Sequence, residues 1–340
     1  MSTKHLSLNP QATQAPTRDL PTGATVPDQL PTAKETKVHP SGNEKKNASI
    51  YFVGTATVIL EWEGIRVMTD PNFLLSGDEV HLGPGVNTVR LTEPAVHLHR
   101  LPKIDLVLLS HYHGDHFDYK VEASLRRDLP IITTPHAQSR LTSKGPQDSF
   151  TRVFALDVFQ QMMVSIGSAG QKQPRIRVTA MPGQHVPNTK PLQKLNELIQ
   201  AIPPTNGWMV ELGYSASDED FTAGYRIYIS GDTLMVDDLK QIPQRYADQR
   251  IDLMLMHLGG TTIPSPAMSP VTMMVTMDAT QGRELMQLLQ PDITIPIHYD
   301  DYDVFASPLA DFKETVGRAG LESRVVYLDR GEQYQFGVRD

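Results

Sequence analysis

From residue 48 onward the chain reads as short apolar runs broken by turn residues. "SIYFVG" predicts a strand, "ATVILEWEG" a second that alternates into a turn at Glu63-Gly64, and "IRVMTDP" a third, together a β-meander. "KIDLVLLS" is a short continuous apolar run, the pattern of a strand buried on both faces. A helix is expected near residues 119–127, then a strand in "PIITTP" and a short helix in "HAQSRLTS". "RVFALD", "MMVSI" and "RIRVTAMPG" read as successive strands of a second sheet, and "GWMVELGY" with "GYRIYISGDT" as a hairpin pair. "IDLMLMHLGG" and "DITIPIHYDD" are further buried strands, "TMDATQGRELMQLLQ" and "PLADFKETVGRAG" amphipathic helices, and "RVVYLDRGEQYQF" closes the chain with strands. Two inserts interrupt this order. Residues 73–100 form one, within a loop-like stretch over 72–103, and residues 187–206 place Leu192, Leu195, Leu198, Ile199 and Ile202 on one helical stripe, either packed on the domain or serving as a lid. Strands first, then strands alternating with helices, predict an α/β fold: two sheets packed together with helices outside, a four-layer αββα sandwich.

Residues 1–47 break the pattern. They are rich in Pro, Thr, Gln and Lys, lack aromatics and show no periodic apolar face. Such a segment buries too little surface to offset its ordering entropy. The expectation is a disordered or extended tail followed by one domain over residues 48–340.

Composition narrows the chemistry. The 340 residues carry a formal charge of −8 with no dense basic run in the domain, so nucleic acid is not an expected partner. Cysteine is absent, which excludes disulfides and thiolate-rich zinc sites; a metal would need His and carboxylate ligands. No apolar run is long enough to span a bilayer, and the N-terminus lacks a secretory pattern, so a cytoplasmic protein is expected. Oligomeric state leaves no mark in the sequence.

Several strands end in metal-type residues. "LVLLS" leads to His111, His113, Asp115 and His116; "VTAMPGQ" leads to His185; "YRIYISG" leads to Asp232; "ITIPI" leads to His298. Strand ends are rigid platforms, and loops leaving one edge of a sandwich converge readily on one pocket. Three neutral imidazoles and a shared carboxylate suit Zn²⁺. A second ion would use Asp115, His116 and His298, with Asp232 bridging both. His257, at the end of "LMLMH", and Tyr299, beside His298, are candidate substrate contacts. Trp62, Trp208 and the methionines read as core.

"SHYHGDHFD" resembles the HxHxDH signature of the metallo-β-lactamase superfamily, and "YFVGTATVILEWEGIRVMTDPNF", "MPGQH", "YISGDT" and "TIPIHYDD" follow in that family's order. The resemblance covers about residues 49–337. The "TDP" and "GDT" contexts look most similar to the branch of L-ascorbate-6-phosphate lactonase and N-acyl-phosphatidylethanolamine phospholipase D. It implies an αββα fold and a hydrolase with two divalent ions, Zn²⁺ first, Mn²⁺ or Fe²⁺ as alternatives. It carries His111, His113 and His185 to one ion, Asp115, His116 and His298 to the other, and Asp232 to the bridge. Asp70 and Asp118 match acidic positions that support ligand histidines from behind. One departure stands out: relatives often show "GHAT" where this chain reads "GTAT", with Thr55.

A hydroxide held by two cations is a nucleophile at neutral pH, and Asp115 is placed to relay a proton to the leaving group. The leading expectation is hydrolysis of a small ester or lactone. Phosphodiester hydrolysis of the phospholipase D type shares the same site, and a non-catalytic metal sensor is the alternative from another class. The family name itself says nothing about β-lactams.

Overall fold

The computed structural model describes residues 3–40, 46–82, 87–167, 173–187, 196, 202–263 and 273–340. Two large sheets dominate. The eight-stranded sheet runs Val153–Ala155 (β10), Ile131–Thr133 (β9), Leu106–Leu108 (β8), Ile65–Thr69 (β5), Thr57–Trp62 (β4), Ala48–Gly54 (β3), Gln333–Phe336 (β19) and Thr36–Val38 (β2). The seven-stranded sheet runs Lys4–Leu8 (β1), Gln161–Ile166 (β11), Gln173–Met181 (β12), Gly207–Ser215 (β13), Tyr225–Ile229 (β14), Leu253–His257 (β15) and Ile293–Ile297 (β18). Two short ribbons lie outside them: Glu79–His81 (β6) with Asn87–Val89 (β7), and Thr262–Ile263 (β16) with Met273–Met274 (β17).

Period-two patterning explains the layering. In β4, Val58, Leu60 and Trp62 enter the cluster between the sheets, where they join Val178, Val210, Ile227 and Leu255 of the other sheet. Ile59, pointing the opposite way, packs with Val121 of Tyr119–Ser124 (α1) and with Ala137 and Leu141 of Pro135–Thr142 (α2). In β15, Leu253 and Leu255 face the central layer, whereas Met254 and Met256 face the helices outside. Those helices are Gln241–Arg245 (α3), Ala279–Leu289 (α4) and Leu309–Arg318 (α5); they contribute Ile242, Leu285, Met286, Phe312 and Val316. The result is the expected αββα sandwich. Among the described residues no helix is long and apolar enough to cross a membrane.

Three details differ from the sequence reading. Val153–Ala155 does not join the second sheet; it pairs parallel with β9 at the edge of the eight-stranded sheet, because the short α2 crossover returns it beside the strand it just left. The N-terminal segment contributes two edge strands: β1 pairs parallel with β11 and β2 parallel with β19. Leu6 and Leu8 alternate into the core, and the backbone ladder supplies what their two side chains alone do not. Finally, the 73–100 insert contains the β6–β7 ribbon rather than loop alone. The apolar stripe from Leu192 to Ile199 lies outside the described residues.

Strand direction positions the site. β12, β14, β15 and β18 all point the same way, since β13 is antiparallel to its two neighbours and the remaining pairings are parallel. Their C-terminal ends therefore share one edge, where His185, Asp232, His257 and His298 emerge. β5 and β8, parallel in the facing sheet, deliver Asp70 and the loop 110–118.

Candidate metal centre

The loop after β8 is pinned at both ends. The Ser110 amide donates to Asp70 Oδ1 at 2.6 Å. Asp118 caps α1: its carboxylate accepts from the amides of Lys120 and Val121 at 2.7 and 2.9 Å, and from Phe73 at 2.6 Å. Burial pushes its carboxyl up to about 6 against those three donors. Between these anchors the loop turns three histidines and Asp115 inward.

Four imidazoles share one design. His185 Nδ1 donates to the Val275 carbonyl at 2.8 Å and His298 Nδ1 to the Leu258 carbonyl at 2.9 Å. His111 Nδ1 lies 2.9 Å from Ser110 Oγ, and His116 Nδ1 lies 3.3 Å from Asp70 Oδ2. Each therefore turns Nε2 toward the centre: His111 and His185 meet at 3.0 Å, His116 and His298 at 3.1 Å. Fixing one nitrogen so that the other presents a lone pair is how proteins orient metal-binding histidines. His113 differs. Its Nε2 is held by the Leu82 carbonyl at 2.9 Å, which leaves Nδ1 to face Asp115 Oδ1 at 3.0 Å.

The donor atoms form two groups around one carboxylate. Asp115, His116, Asp232 and His298 offer ligand atoms within 4.8 Å of one another, as do His111, His185 and Asp232. All six residues are buried. His113 stands beside the second group without entering it, its ring centroid 5.6 Å from that of His111. Asp232 is itself held: Oδ1 lies 3.2 Å from His257 Nδ1, and Oδ2 accepts from the Thr276 hydroxyl at 3.1 Å. Its turn requires Gly231, at φ +60°, where a Cβ would stand 2.5 Å from the Asn206 carbonyl.

Electrostatics separate the groups. Burial pulls His185 down to about 4 and, with His116 and His185 adjacent, holds His111 well below its ordinary value. Burial opposes the charge on His116 and His298 as well, but Asp232 and Asp115 outweigh it and raise both. Burial would likewise push the Asp115 and Asp232 carboxyls up; His116, with His113 at Asp115 and His298 at Asp232, holds them well below the carboxylate range. The backbone carries strain at the same edge: Thr55, Asp70, His298 and Asp300 are non-glycine residues at φ 51°, 30°, 61° and 56°.

Two candidate substrate contacts are placed otherwise than expected. His257 is fully buried beneath Asp232. Tyr299 points into the helix-side core and donates to the Leu328 carbonyl at 3.3 Å. Sequence reading missed Thr276, which no local pattern marks, since it meets Asp232 from 44 residues downstream. A cleft of about 370 Å³ opens beside His185, lined by Gly183, Gln184, Val186, Asn196, Ile202 and Thr205 among others.

The family model described as "Beta-lactamase superfamily domain" matches residues 66–299. A metal-dependent hydrolase from Archaeoglobus fulgidus is 28% identical over 234 residues, covering 69% of this chain and 83% of that protein. Among solved structures, a possible metal-dependent hydrolase from Veillonella parvula superposes with a TM-score of 0.63 at 18% identity, over 85% of this chain and 99% of the other. An isothiocyanate hydrolase from Delia radicum gut bacteria gives 0.62 at 18% identity, over 85% and 99%.

Proposed function

The chain belongs to the metallo-β-lactamase superfamily, and on that footing we propose that it is a metal-dependent hydrolase with a dinuclear centre, acting on a small ester or lactone. One observation carries the reading: four buried imidazoles, each fixed through Nδ1, turn Nε2 onto two buried carboxylates. The donor set fits divalent cations. It is all nitrogen and oxygen and divided into two groups that share Asp232. His111, His185 and Asp232, with His113 offering Nδ1, would hold one ion; Asp115, His116, His298 and Asp232 would hold the other. Zn²⁺ suits these donors, and Mn²⁺ or Fe²⁺ are the alternatives.

Cations bound there supply two things: they acidify water and polarise the bond to be cleaved. The protein's own groups do the rest. Asp115, anionic and buried, is the proton carrier, positioned to accept a proton and return it to the leaving oxygen. His257 and Thr276 keep Asp232 in the orientation that serves both groups. The cleft at His185 admits substrate, and none of its described lining side chains carries a charge. A neutral carbonyl compound matches that lining better than a phosphodiester, whose anion calls for a cationic side chain.

The test is a substrate panel with counted metal. Lactones, aryl esters, an aryl isothiocyanate and bis-p-nitrophenyl phosphate are assayed with Zn²⁺, Mn²⁺ and Fe²⁺. Turnover of a lactone or ester that chelation abolishes is the expected result. Asp115→Asn should lower the rate by about 10²–10⁴-fold. Hydrolysis of the phosphodiester alone overturns the carbonyl reading, and unchanged rates in metal-free protein overturn the whole scheme.

A further inference from the structure

Arg90 is one of the largest fully buried side chains in the molecule, with no exposed surface. It sits in the insert between the meander and the metal loop, and sequence reading assigned it nothing. Its Nε donates to the Thr92 carbonyl at 2.9 Å, and its guanidinium lies 5.2 Å from the centroid of the Tyr302 ring. One nitrogen, Nη1, serves two acceptors: the Thr55 hydroxyl and Asn72 Oδ1, the latter at 3.0 Å. The other, Nη2, is buried without a hydrogen-bond partner, 3.8 Å from Asp301 Oδ1. Burying a guanidinium opposes folding unless its partners offset the loss of water, and here those partners are Asp301, Thr92, Thr55 and Asn72.

The two acceptors lead to the two loops that carry one half of the centre. Thr55 accepts the His298 amide on its carbonyl at 2.8 Å. Its own amide donates to Asp301 Oδ2, also at 2.8 Å, and its backbone is held at φ 51°. Asn72 donates to the Gly114 carbonyl at 3.3 Å, immediately before Asp115, and to the Tyr302 hydroxyl at 2.8 Å. A single nitrogen of Arg90 thus spans from the His298 turn to the Asp115–His116 turn. Neither link reaches His111 or His185, whose supports are Ser110 and Val275.

Resting on the dinuclear reading above, we propose that Arg90 is a positioning residue for the Asp115–His116–His298 half of the centre, setting the spacing of its two loops through Thr55 and Asn72. The assignment also gives Thr55 a use: its hydroxyl is an acceptor that receives Arg90.

The experiment is a Co²⁺ titration of full-length, metal-stripped protein, followed by absorbance and calorimetry. Wild type takes up two equivalents. Arg90→Met keeps the first unchanged and weakens the second roughly 10–100-fold, the usual effect of losing a group that orients a ligand. Arg90→Lys stays defective, because one ammonium does not reproduce the planar fork that reaches both acceptors. Should Arg90→Met fail to fold by circular dichroism, Thr55→Val, which keeps the carbonyl and loses only the hydroxyl, still weakens the second equivalent several-fold. Two wild-type equivalents in the folded variant, equal weakening of both equivalents, or full rescue by lysine each overturn the role of Arg90. A single equivalent in wild type overturns the dinuclear reading itself, and Arg90's role with it.

Discussion

The two halves of the centre share Asp232 and differ in which carboxylates stand beside their imidazoles. On one side, His111 and His185 are buried imidazoles held below their ordinary value, their protons held by a serine and a main-chain carbonyl. On the other, His116 and His298 stand between two carboxylates, and all four groups are pushed toward their charged forms. The first half presents lone pairs ready for a cation. The second is already satisfied by protons, so a cation entering it must displace them. Identical residue types give opposite states, and the carboxylates within reach decide which.

Removing the shared group is the harshest way to break that contrast. Asp232→Ala should abolish stoichiometric metal uptake in both halves and lower hydrolysis by at least about 10³-fold, as loss of a main electrostatic element does. In metal-stripped protein it should also cost about 3–5 kcal/mol, because His116 and His298 lose the carboxylate that charges them. Metal counting, kinetics and urea unfolding check the three parts. Uptake of one full equivalent would show that the halves are independent.

A second comparison sets the halves against each other. In metal-stripped protein His116→Gln leaves Asp232 without its nearest cation and Asp115 with one cation fewer, and should cost about 3–5 kcal/mol. His111→Gln removes a neutral ring and one hydrogen bond and should cost about 1–2 kcal/mol. Equal urea midpoints for the two variants would erase the distinction.

Much of this was legible in the sequence, for a physical reason. The strands alternate at period two, and the metal-type residues are attached to their ends, so "LVLLSHYHGDHFD", "MPGQH", "SGDT" and "IPIHYDD" each announce a strand and a candidate ligand together. What escaped depends on long-range pairing. β10 belongs to the first sheet because of a parallel ladder with β9, which its own residues do not encode. β1 hides two useful leucines in a polar segment. Arg90 reads as one more polar loop residue, because its acceptors lie 35 and 18 residues away on other elements. His257 was noticed for the right reason, its place at a strand end, yet it faces Asp232 and not the cleft.

Acidity offers a gentler probe, since His185 responds to it with a sign opposite to that of His116 and His298. His185 titrates near 4 when folded and near 6.5 when unfolded, so between these values the unfolded chain binds more protons. Its half therefore loses stability as pH falls from 6.5 toward 4. His116 and His298 are raised above 6.5, so the folded protein binds more protons there. Their contribution is complete below 6.5 and drains as pH rises through their folded values. In melting curves of metal-stripped protein across pH, His185→Gln should flatten the acid slope, and His116→Gln the alkaline one. The same slopes in both variants would contradict the charge assignment.

The smallest expected effect comes from the residue next to His298. Just past the end of β18, with His298 in the left-handed region, the backbone separates two neighbours completely. His298 turns into the centre, whereas Tyr299 leaves it for the cluster around Phe312 and Val316. Its hydroxyl makes one long hydrogen bond, 3.3 Å to the Leu328 carbonyl. Burial pushes that hydroxyl's pKa up, so it stays protonated and has no acid–base use near neutrality. Tyr299→Phe keeps the ring that packs and loses only that bond. It should cost no more than about 1 kcal/mol and leave kcat and KM unchanged within about twofold. A marked rise in KM would mean that the side chain reaches substrate after all, through a movement of the 298–300 turn, whose left-handed residues His298 and Asp300 make it the strained part of this edge.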